Sequence, residues 1–229
     1  MSVDEVVKVI DAITKLAAAL VWPVLAAFVL VRFGPALKDF FQSLGEFSVK
    51  GAGFEASAKR KQAEATAALV AATAAQPDSS PLASPALDAR EAVAVVQDAV
   101  TPRFLRKAAR ATVLWVDDRP DNNIYERQSL EALGITFVLA KSTEEALGKL
   151  RTAKFDAIIS DMSRPPDAKA GYTLLDSLRQ SGDMTPFVIY AGSSAPELKA
   201  EARRHGALGS TNRASELFEY VVRTLNSAP

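Results

Sequence analysis

Thr112-Val-Leu-Trp-Val-Asp-Asp118 is a short apolar run closed by two acids, and its reading decides the fold. Such a run is what a parallel strand covered on both faces requires, with its polar residues gathered at the carboxyl end. Outward from it the pattern repeats: Ile135–Leu139, Phe155–Ile159 and Phe187–Tyr190 are further runs of the same kind, and Ala207–Ser210 is a weaker fifth. Helical patterns separate them. Ser142 with Glu145, and Ser194 with Glu197, have the spacing of capping boxes, whereas Gly134, Gly182 and Gly206 stand where helices should stop. The last helix carries Leu217, Val221, Val222 and Leu225. Strict alternation of strand and helix predicts an α/β fold, a doubly wound five-stranded parallel sheet over residues 111–229. In such sheets the functional crevice lies beyond the carboxyl ends of the strands.

The acids fall at those ends. Asp117 and Asp118 close the first strand and Asp161 closes the third. Three carboxylates brought to one edge repel one another unless a hard cation sits among them, and all-oxygen ligation with room for water suits Mg²⁺. A carboxylate beside Mg²⁺ can also attack a phosphoryl group.

Four blocks in this order, VLWVDD, DAIISD, TPFVIYAG and GALGSTNR, make residues 111–227 resemble the receiver domain of bacterial response regulators, a flavodoxin-like fold. The separations agree with that family: 43 residues from Asp118 to Asp161, 30 more to Ala191 and 22 more to Arg213. The resemblance implies that Asp161 is the phosphoacceptor and that Mg²⁺ is held by Asp117, Asp118, Asp161 and the backbone carbonyl near Ser163. It implies a histidine kinase or other signalling protein as partner, and a signalling module rather than an enzyme. Three positions depart from the family pattern, which leaves open both a membrane-tethered receiver that acts by phosphorylation and a pseudo-receiver that signals by contact. Ala191 replaces a hydroxyl residue, which leaves Ser193 and Ser194 as candidate phosphoryl contacts if the loop bends back; Ser210 replaces an aromatic residue; Arg213 replaces the lysine that pairs with the phosphoryl group, and the two cations are not interchangeable at a packed site. Trp115 is read as core, Tyr125 and Arg127 as first-helix residues near the site, and His205 as a helix-end residue without a catalytic role.

The amino-terminal half reads differently. Leu16–Val31 is sixteen residues without a charge, bounded by Lys15 and Arg32; with those two side chains snorkelling it approaches the roughly 17-residue minimum for a spanning helix. It is read as a transmembrane helix anchoring residues 1–34, single-pass, in a bacterial inner membrane. Arg32, Lys38 and Lys50 against Lys8 and Lys15 favour a cytoplasmic carboxyl-terminal side. Within 35–76 the sequence predicts a short amphipathic helix (Pro35–Leu44), a β-hairpin turning at Gly51-Ala-Gly53 with Phe54, Ala56 and Ala58 alternating in its second arm, and an alanine-rich helix over 59–76. Residues 77–110 read as a Pro/Ser linker and a connector helix capped by Asp88, striped by Val93, Val96 and Val100 and interrupted at Pro102. A lone hairpin needs a partner: the membrane surface, the rest of the chain, or copies of itself in the homo-oligomer expected here; an oligomerising or pore-forming membrane element regulated by the receiver fold is the alternative reading.

Composition narrows the chemistry further. With no cysteine and His205 as the single histidine, disulfides, thiolate sites and Cys/His zinc sites are excluded. Twenty-seven basic against 27 acidic residues give no surplus of positive charge, and no nucleic-acid partner is expected. DDRPDNN follows the first strand where a nucleotide-binding enzyme carries a glycine-rich loop.

Overall fold

The computed structural model describes residues 54–75, 85–192 and 195–227. The anchor segment, the Pro35–Leu44 helix, the first arm of the hairpin, the Pro/Ser linker, Ser193 and Ser194 lie outside these residues. Among the described residues no helix is long and apolar enough to cross a membrane.

Five strands form one parallel sheet: β1 (Thr112–Val116), β2 (Thr136–Ala140), β3 (Ala157–Asp161), β4 (Phe187–Tyr190) and β5 (Gly209–Thr211), in the order β2-β1-β3-β4-β5. That is the flavodoxin-like order, with its crevice where β1 and β3 lie side by side. The weak fifth run, expected over Ala207–Ser210, starts two residues later and ends one later, pairing through Gly209, Ser210 and Thr211. Between the strands run α4 (Ile124–Glu131), entered through a 3-10 turn at Pro120–Asn123, then α5 (Thr143–Thr152), α6 (Ala170–Gln180), α7 (Pro196–Arg204) and the terminal α8 (Ala214–Ser227).

Alternation along the strands divides the core in two. Val113, Trp115, Ile159, Val188 and Tyr190 pack with Leu130 and Leu133 of the α4 side and with Leu217, Val221 and Leu225 of α8. Leu114, Val116, Ile158, Phe187 and Ile189 pack on the other face with Ala146 of α5, Leu174 and Leu178 of α6 and Ala202 of α7. Ser142 accepts a hydrogen bond from the Glu145 N–H as foreseen. The helix stops at Gly134, Gly182 and Gly206 have φ of 109°, 81° and 92°. Helix α7 begins at Pro196 with Ala195 in the cap position, and the Ser194 half of the expected Ser194–Glu197 box lies outside the described residues.

Among the described residues three helices precede the sheet: α1 (Phe54–Ala75), α2 (Pro85–Ala99) and α3 (Pro102–Ala108). They overturn the second arm of the hairpin, since Phe54–Ala58 open α1. Helix propensity through the alanine-rich run, together with Ala58, Ala65, Leu69 and Ala72 meeting one apolar surface, outweighs a marginal two-stranded pairing. Asp88 is no cap either: α2 starts three residues earlier, with Pro85 at the first position where its missing N–H is harmless. The buried line on α2 is Ala89, Ala92 and Val96 rather than the three valines, because small residues allow close approach. Helix α1 packs on α4, α2 and α8, while α2 and α3 also pack on α8. Lys61 of α1 donates to the Leu133 carbonyl beyond α4 (3.4 Å), so the connector elements form an extra layer on one face of the α/β domain.

Candidate functional site

The carboxyl ends of β1 and β3 are paired neighbours, so Asp117, Asp118 and Asp161 must emerge side by side. Each offers a carboxylate oxygen within 4.8 Å of the others. Asp117 is buried; it accepts hydrogen bonds from the Arg119 N–H (2.8 Å) and Asn123 Nδ2 (2.6 Å), with Trp115 Nε1 at 3.5 Å. Asp118 is partly exposed and lies 3.7 Å from Arg119 Nε. Burial and the charge of Asp117 push the Asp161 carboxyl up to about 6, against the Met162 and Ser163 N–H groups and the Arg164 charge, which hold it down. Ser163 therefore meets the site through its backbone N–H.

These residues fit a hard divalent cation. The donors are all oxygen and they converge, and the Asp161 carboxyl, raised first by burial and then by the neighbouring Asp117 charge, would gain from a cation beside it. Asp117, Asp118 and Asp161 would hold Mg²⁺, which would neutralise charge developing on a transferred phosphoryl group.

Around the acids lies a layer that sequence reasoning only partly anticipated. Trp115 is buried in the core between Phe137 and Tyr190, both edge-on to it. Arg127, buried on α4, donates to the carbonyl of Pro120 and sets its guanidinium 5.8 Å over the Trp115 ring. Glu126 was missed: it is buried, accepts from Tyr190 Oη (2.9 Å), and burial raises its carboxyl pKa. Arg164 was missed as well. Its guanidinium is buried behind the loop that follows β3, and only its position three residues after Asp161 hinted at a place in the site. Gly171, the second residue of α6, permits a close approach: a Cβ there would lie 3.1 Å from both the Asp161 carbonyl oxygen and the Met162 Cα.

The other candidates fall farther from the acids in their contacts. Arg213 Nη2 meets Glu91 Oε2 of α2 at 2.5 Å, and Nη1 is 3.6 Å from Glu216. Ala191 packs into the second core. Ser210 is buried in β5 with a hydroxyl that finds no partner among the described residues. His205 caps α7, stacks on Tyr172 with ring centroids 4.2 Å apart and pairs with Asp176 Oδ1 at 2.7 Å. Tyr125 is exposed at the start of α4.

Residues 113–214 match the family described as the response regulator receiver domain. The chemotaxis response regulator CheY4 of Vibrio cholerae, crystallised at low pH, is 30% identical over 51% of this chain and 96% of its own, with a TM-score of 0.42. A second structure of that protein is 28% identical, covering 50% and 98%, with a TM-score of 0.44. The receiver domain of the Francisella response regulator 1452 is 26% identical, covering 50% and 95%, with a TM-score of 0.45. No curated protein matches the chain. Residues 113–214 are thus a response regulator receiver domain, a module of two-component phosphorelay signalling.

Proposed function

We propose that this chain is a membrane-tethered receiver in which Asp161 accepts a phosphoryl group from a histidine kinase and passes the signal on by protein contact. The observation that carries the reading is the convergence of Asp117, Asp118 and Asp161 at the edge where β1 and β3 meet. In the transfer, a carboxylate oxygen of Asp161 attacks phosphorus. The phosphorus–nitrogen bond to the donor imidazole breaks, its electron pair stays on nitrogen, and an acyl phosphate forms. Asp117, Asp118 and Asp161 would hold Mg²⁺, with the backbone carbonyl near Ser163 as a further ligand. Ser193 and Ser194 stand in for the hydroxyl that Ala191 lacks. For Arg213 to meet the phosphoryl group it must leave Glu91, which makes helix α2 the element that feels the modification.

Tethering rests on the uncharged run Leu16–Val31, and the cytoplasmic face of a bacterial inner membrane on the lysine and arginine residues that follow it. Incubating the full chain with Mg²⁺ and a small acyl phosphate should label the wild type and leave Asp161→Ala unlabelled. Equal labelling of the two, or none in either, overturns the relay reading.

A further inference from the structure

Arg164 is 4% exposed, yet among the described residues none of its hydrogen-bond acceptors is a carboxylate. Nη1 donates to Ser160 Oγ at 2.7 Å and to the Asp161 carbonyl at 2.5 Å, with the Val116 carbonyl at 3.4 Å. Nη2 donates to the Ala170 carbonyl at 2.9 Å and to Thr143 Oγ1 at 3.2 Å. The acceptors come from the end of β1, the end of β3, the first residue of α5 and the first residue of α6. A buried guanidinium without a bonded acid is costly. Burial lowers the Arg164 pKa on balance, and the through-space attraction of Asp161, Asp117, Asp167 and Asp118 offsets only part of that cost.

We propose that Arg164 is the positioning residue of the acid site: its planar fork ties the carbonyl ends of β1 and β3 to the starts of α5 and α6 and so sets the loop about which the three carboxylates converge. The inference rests on the receiver reading for its metal and on geometry alone for the loop. Two further contacts give it leverage. Arg164 and Asp167 exchange backbone hydrogen bonds at 3.0 and 2.8 Å, closing the loop on itself. The Gly171 N–H donates to the Met162 carbonyl at 3.0 Å, pressing α6 against the residue that follows Asp161. A lysine would keep the charge there but reach only some of these acceptors, since an ammonium is a point donor and the guanidinium a two-pronged one.

The test compares the wild-type chain with Arg164→Lys, and with Ser160→Ala, which keeps the guanidinium and removes one acceptor. Amide hydrogen exchange is read without metal at Met162, Ser163 and Gly171, and Mg²⁺ affinity is read by calorimetry. Arg164→Lys should speed exchange at those amides at least tenfold while leaving β4 unchanged, and weaken Mg²⁺ binding at least tenfold; Ser160→Ala should move both the same way by a smaller factor. Should Arg164→Lys fail to fold, Ser160→Ala decides alone. If Arg164 supplied charge only, the lysine variant would match the wild type in both measurements, and that result overturns the proposal. A wild type that takes up no Mg²⁺ would count against the phosphorelay reading, with the exchange data still deciding the role of Arg164.

Discussion

A fragment that starts at residue 111, where the strand and helix alternation begins, is expected to lose most of its stability relative to one that starts at residue 50. The longer piece contains the whole compact unit Lys50–Pro229. The shorter one discards α1, α2 and α3, and with them Leu69, Val96, Phe104 and Leu105, none more than 5% exposed. Burying each such side chain contributes about 1.5–3 kcal/mol. Four of them thus amount to about 6–12 kcal/mol as an upper figure, against the roughly 5–15 kcal/mol that holds a typical domain together. The same truncation uncovers the apolar sides of α4 and α8. Urea denaturation followed by circular dichroism should give the longer fragment one cooperative transition and the shorter one a much lower midpoint or none. Equal midpoints would mean that the helical layer is merely leaning on the receiver.

The second large effect concerns charge. In the metal-free chain, Asp161→Asn should raise the melting temperature at pH 8 and leave it unchanged at pH 4. The Asp161 carboxyl is pushed up to about 6 by burial and by Asp117. A carboxyl whose folded value is raised contributes fully below its unfolded value, near 4, and the contribution is lost as pH rises through about 6. Asparagine still accepts from the Met162 and Ser163 N–H groups and never acquires the charge. At about 1.4 kcal/mol per unit, the gain at pH 8 is up to about 3 kcal/mol, an upper bound because Asp161 is only partly buried. Mg²⁺ should reverse the ranking, stabilising the wild type by mass action and the asparagine variant much less. Identical pH dependence in the two proteins would remove the charge crowding from the account.

Much of this was legible in the residues. Apolar runs ending in acids gave the sheet and its functional edge because a parallel strand buried on both faces leaves polar residues nowhere else to go. What remained hidden was set by tertiary contact. Phe54–Ala58 alternate like a strand, yet they join a helix because Leu69 and its alanine neighbours find a surface on α4 and α8. No local pattern announces that surface. Arg164 and Glu126 look like ordinary solvated charges in the sequence; their burial becomes visible only when β1, β3 and β4 bring Val116, Ser160 and Tyr190 to them. Arg213 shows the converse case, a site position whose nearest acid, Glu91, lies in a helix far back in the chain.

The tryptophan in the first strand gives the protein an optical gauge of its own acid site. Trp115 is 1% exposed, its indole N–H lies 3.5 Å from Asp117, and the Arg127 guanidinium stands over its ring. An emitter held between a cation and a carboxylate shifts colour when either field changes, and Trp22 is the only other tryptophan in the sequence. In a Trp22→Phe background, protonation of Asp161 or arrival of Mg²⁺ should therefore be read as a displaced emission maximum, without label or partner. An emission spectrum indifferent to both would show that the indole does not sense its neighbours.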